Sequence, residues 1–187
     1  MNTKKFLVIS FTLLITLTLA VPAAFAASVH LKGGKNAEPS FFDGGLTLTA
    51  SGELSGLGNG DILVTIEATA DVTATCTNQG GNQAPGQNPA PITVTGTQFI
   101  PEDELTKNGN VPFSVTTDEP ETPIPGAPDC PNPNWSEDIA DLAFTSATIT
   151  VEQPVGTEVL IVECSFSDPT SYGDVSNNNV SCTQTQP

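Results

Sequence analysis

Four cysteines, one histidine and a large surplus of carboxylates are the residues of this chain that could do chemistry. Cys76, Cys130, Cys164 and Cys182 form an even set, and their spacing bears on zinc against disulfides. A zinc knuckle places two ligands two to four residues apart. Here the nearest pair is 18 apart, and the sole histidine, His30, precedes Cys76 by 46 positions. Two disulfides are the simpler reading for an exported chain. Of the three connectivities, loop-closure entropy favours the nearest pair, Cys164 with Cys182, which leaves Cys76 for Cys130.

A Ser-His-Asp or Cys-His arrangement would have to use His30, and no G-x-S-x-G elbow occurs in the sequence. A blue-copper site needs two histidines and a cysteine, usually with a methionine, and only Met1 is present. Glycosidases need just two carboxylates, which 21 acids readily supply, but a sugar cleft also offers aromatic platforms, and there is one Trp and one Tyr. A secreted hydrolase is therefore the third-ranked reading, and the chain is read as no enzyme.

Calcium passes the same filter because it asks only for oxygen ligands. The acidic clusters are Glu102-Asp103-Glu104, Asp118-Glu119 with Glu121, and Glu137-Asp138 with Asp141. None fits the D-x-[DN]-x-[DN]-G loop, and solvated acidic faces account for such runs more often than metal sites do. If a calcium site exists, Asp118, Glu119 and Asp129 are its candidates, since loop carbonyls there could complete the shell. No other cofactor is expected.

Lys4 and Lys5, the apolar run from Phe6 to Val21 and Ala24-Phe25-Ala26 before Ala27 read as a cleaved signal peptide over residues 1–26. Residues 27–187 then form one secreted or periplasmic domain, with no membrane insertion after cleavage. Loss of the leader leaves three lysines and no arginine against 21 carboxylates, a balance of −18. Such a surface repels phosphate, so nucleic acid is excluded as a partner.

The elements that must position these residues are strands. Apolar residues alternate with polar or small ones in Leu46 to Ala50 and Ile62 to Ala70, and Asn59-Gly60 between them is a hairpin signal. Further strands are expected at Ile92 to Ile100, Val111 to Thr117, Thr145 to Val151 and Glu158 to Phe166, with short ones at Val29 to Leu31 and Val180 to Thr183. Glu152 to Thr157 carries Pro and Gly and suits a second hairpin. Ser136 to Leu142 is the one segment with helical spacing, though an extended approach to the next strand fits it slightly better.

Two long loops interrupt the strands, Cys76 to Pro91 and Asp118 to Asn134, the second with six prolines. Proline lacks an amide donor, so neither loop suits an inner strand. A Cys76–Cys130 disulfide would hold both to the scaffold, where binding loops commonly reside. Trp135 ends the second loop. It reads as a contact residue or, more often in such settings, as a core plug under the loop. Asn134-Trp135-Ser136 and Asn179-Val180-Ser181 match the glycosylation pattern, which matters only in a eukaryote.

The blocks Cys76-Thr77-Asn78 with Pro85-Gly86-Gln87-Asn88-Pro89, Pro125 to Trp135, and Phe144 to Val151 resemble small secreted bacterial β-proteins without assigned activity. That resemblance implies export and no particular chemistry. The reading is an all-β, antiparallel immunoglobulin-like sandwich of about seven to eight strands. Its expected role is a non-catalytic extracellular binding or structural module. The partner is an extracellular protein, a cell-surface component or a second copy, met through the stapled loops or an edge strand. Calcium-dependent binding, with glycans as one ligand class, is the alternative.

Overall fold

The computed structural model describes residues 29–85, 90–124 and 130–187, so the expected leader and Asp129 lie outside the described residues. In chain order the strands are β1 (His30–Leu31), β2 (Ser40–Asp43), β3 (Leu48–Ser55), β4 (Ile62–Asn78), β5 (Gln83–Pro85), β6 (Ile92–Ile100), β7 (Val111–Thr116), β8 (Trp135–Glu152), β9 (Glu158–Phe166), β10 (Gly173–Asp174) and β11 (Val180–Thr185). Two antiparallel sheets result, as in a β-sandwich. The first contains β1, β2, β3, β7 and β10, and the second contains β4, β5, β6, β8, β9 and β11.

Strict alternation of side chains is what makes two layers from this sequence. Along β4, Ile62, Val64, Ile66, Ala68, Ala70, Val72, Ala74 and Cys76 point inward while Thr and Glu alternate with them. Leu48, Ala50 and Leu54 of β3 and Val111, Phe113 and Val115 of β7 supply the facing layer. Leu160 and Val162 of β9, with Ile149 and Val151 of β8, extend the same core. Burying each such branched side chain contributes about 1.5–3 kcal/mol before the entropy of ordering it.

Both flanks of the sandwich are stitched shut. On one side β6 and β7 press together at Gly96, where a Cβ would fall 1.9 Å from the Thr116 carbonyl oxygen. Asp118 N donates to Thr95 O at 2.7 Å beside it. On the other side Leu31 N donates to Gln184 Oε1 at 2.9 Å, and Gln184 Nε2 donates to the carbonyls of Gly34 and Ala37. Gln186 Nε2 reaches Val29 O at 2.7 Å. These bonds occupy part of the edges of β1 and β6 that would otherwise template another strand.

β4 and β8 outrun their neighbours. β6 pairs β4 only from Ile62 to Ala70, and β9 pairs β8 only from Ser146 to Glu152. Residues 71–78 and 135–143 therefore continue together as a projecting ribbon, with the short β5 along β4. The pairing shifts register between Thr73 and Ala74, where Ala140 is the extra residue.

Ser136–Leu142 is strand, the extended reading that fitted it better than a helical turn, because pairing with the overhang of β4 satisfies its backbone. Two expectations are corrected here. Asn59-Gly60 does not close a hairpin between β3 and β4, which lie in different sheets; β3 pairs with β2 and β7 instead. The chain crosses between layers there, and Gly60 takes the positive φ that such a bend requires. Finally, Cys76 to Pro91 is only partly loop, since Cys76 belongs to β4 and Gln83–Pro85 pairs back upon it. The hairpin across residues 153–157 is present as expected.

Candidate functional site

At the tip of the ribbon, Cys76 and Cys130 are joined, with Cα atoms 5.6 Å apart. Cys164 and Cys182 form the second disulfide, directly opposite each other on β9 and β11. Two disulfides point to an oxidising, extracellular environment.

The first staple fastens the proline-rich connection after β7 onto the ribbon, and hydrogen bonds reinforce it. Ile124 N donates to Glu137 O at 2.7 Å. Ile139 N donates to Thr122 Oγ1, which in turn donates to Asp138 Oδ1. Between the connection, the ribbon and the start of β6 lies a pocket of about 310 Å³ lined by Val72, Ile92, Thr93, Val94, Pro120, Glu121, Ile124 and Ile139. Its wall is mainly apolar because the inward row of β4 and β8 continues past the end of the first sheet, with only the connection to cover it.

Glu137 interrupts that apolar row. Its side chain is fully buried, and neither carboxylate oxygen has a hydrogen-bond partner among the described residues. A carboxylate oxygen of Glu137 and the sulfurs of Cys76 and Cys130 lie within 4.8 Å of one another. Sequence reasoning placed Glu137 in a solvated acidic cluster, since only the pairing of β8 with β4 turns it inward.

A second constellation forms where the β2–β3 turn meets β8. Asp43 is fully buried. Its Oδ1 accepts from Gly45 N at 2.8 Å, and its Oδ2 accepts from Thr170 Oγ1. Thr170 is locked to Phe144 by two further bonds of 2.9 Å. Burial raises the pKa of the nearby Asp141 carboxyl, the Asp43 charge raises it further, and the Leu142 amide works against both. Beside this pair the exposed Tyr172 ring meets Phe42 edge-on at 5.9 Å. Asp43, Phe42 and Tyr172 carried no signal in the sequence, because the turns that bring them together lie more than 120 residues apart.

Asp118 and Glu119 are exposed at the start of the long connection, and Asp129 lies outside the described residues. Trp135 is half-buried as the first residue of β8, opposite Asn78, and its backbone N–H donates to Asn132 O. Among the described residues, Cys76, Cys130 and Glu137 are the one group of three or more His, Cys, Asp or Glu side chains close enough to share a metal ion. Compared with known proteins, the chain matches no protein-family model, no curated protein and no solved structure.

Proposed function

We propose that this protein is a secreted, non-catalytic binding module that meets an extracellular protein through its stapled end. The observation that carries the reading is the apolar pocket between the ribbon and the disulfide-fastened connection. Preformed apolar concavities on a rigid scaffold suit an anchoring side chain of a partner. The stitched flanks disfavour capture of a strand at a sheet edge, so the loops carry the contact. Glu121 in the pocket wall and the balance of −18 left after loss of the leader select a partner surface that places Lys or Arg around an apolar anchor.

The fold reading belongs to the same proposal. Strand orders β2-β3-β7 and β6-β4-β8-β9 support an immunoglobulin-like Greek key. The β3–β4 and β7–β8 connections both cross between sheets, which sets β3 beside β7 and β4 beside β8. The leader motif supports export, and no helix among the described residues is long and apolar enough to cross a membrane.

The test uses the oxidised protein immobilised in the medium of its source. Wild type should retain a partner that Ile124→Asp releases, while Tyr172→Ala on the other constellation should retain it. Equal retention by wild type and both variants removes the stapled end as the binding surface. A calcium-specific rise in melting temperature at fixed ionic strength, lost in Asp118→Asn, would put the calcium-dependent reading in its place.

A further inference from the structure

We propose that in the reduced protein Cys76, Cys130 and Glu137 bind a zinc-class divalent cation, so that the staple exists in two exclusive forms, disulfide or metal thiolate. The two cysteines are 54 residues apart and fit no knuckle spacing. The fold nonetheless gathers both sulfurs and a carboxylate oxygen within 4.8 Å.

The independent observation is Glu137 itself. A fully buried carboxylate without a hydrogen-bond partner is rare, because an ion taken out of water must find compensation. A cation held between it and two thiolates supplies that compensation. Two sulfurs and one oxygen form a donor set that suits zinc better than calcium or magnesium, which take oxygen ligands alone.

Geometry permits the exchange. Tetrahedral zinc with bonds of about 2.3 Å needs its sulfurs about 3.8 Å apart, so the two sulfurs must separate once their bond is reduced. Cys76 is fixed in β4, but Cys130 lies outside the strands and is the ligand that moves. The Cys164–Cys182 pair offers no equivalent. Both residues belong to paired strands, and no third ligand joins them among the described residues.

The chemistry balances in two steps. Either a phosphine with one water, which becomes a phosphine oxide, or two thiols, which become a disulfide, supply two electrons and two protons to the Cys76–Cys130 bond, giving two thiols. The metal ion then displaces both thiol protons and binds the two thiolates with the Glu137 carboxylate. One coordination position is left for solvent.

The experiment reduces the mature protein with a phosphine, adds equimolar zinc and maps alkylation at each cysteine by peptide analysis. Zinc should slow alkylation of Cys76 and Cys130 tenfold or more and leave Cys164 and Cys182 unchanged. Cobalt(II) in place of zinc should give thiolate charge-transfer and tetrahedral ligand-field bands. Glu137→Gln should weaken cobalt binding tenfold or more, and Cys164→Ser with Cys182→Ser should not. Equal protection of both pairs, protection of neither, or unchanged cobalt affinity in Glu137→Gln overturns the proposal.

Discussion

Glu137 stands directly opposite Cys76 across the β4–β8 pair, so a carboxylate and a disulfide sulfur share one buried spot. The oxidised protein therefore carries at its stapled tip a polar group whose desolvation no hydrogen bond from the described residues offsets.

Glu137→Met should accordingly stabilise the oxidised protein, because it removes that desolvation while keeping a flexible side chain of similar length. The gain should be about 1–3 kcal/mol, read as a higher urea midpoint at unchanged slope. A lower midpoint would show that Glu137 is compensated in the folded state.

The two staples should differ in worth. They close loops with sequence separations of 54 and 18 residues, for which chain entropy gives about 4 and about 3 kcal/mol. Denaturant unfolding of Cys76→Ala with Cys130→Ala, set against Cys164→Ala with Cys182→Ala, should show the larger loss for the first pair.

Asp141 should make stability depend on pH in the sense opposite to most carboxylates. Its pKa is raised in the folded protein from an ordinary 3.8, so the folded state holds this proton more tightly than the unfolded chain. Its contribution is most favourable below 3.8 and is lost as pH rises through the raised folded value. Asp141→Asn should raise the melting temperature at pH 7, with the advantage fading on acidification. Because Asp141 keeps contact with water, the effect should stay below about 1 kcal/mol.

Gly96→Ala should be costly although Gly96 sits mid-strand in no unusual turn. The added Cβ would lie 1.9 Å from Thr116 O and 2.7 Å from Thr117 Cα, both backbone, so β6 and β7 must separate. A loss of about 1–3 kcal/mol is expected, with the exposed Thr97→Ala as a neutral control in thermal unfolding.

Strand periodicity and loop entropy were legible in the chain before any strand was paired. Alternation of Val, Ile and Thr marked β6 and β9 to the residue, because a half-buried strand writes its period directly into the chain. The cysteine pairing was also legible, since closing the shorter loop costs less and only one pair then remains. Which strands are neighbours was not legible, because pairing joins residues far apart in the chain. Asn59-Gly60 reads the same whether the chain turns back within a sheet or crosses to the other, and β3 crosses because β2 and β7 already occupy both its edges. Glu137 and Asp43 look like ordinary surface acids in the sequence. Their burial follows from register and from turns closing over them, and both are set by partners on strands distant in the chain.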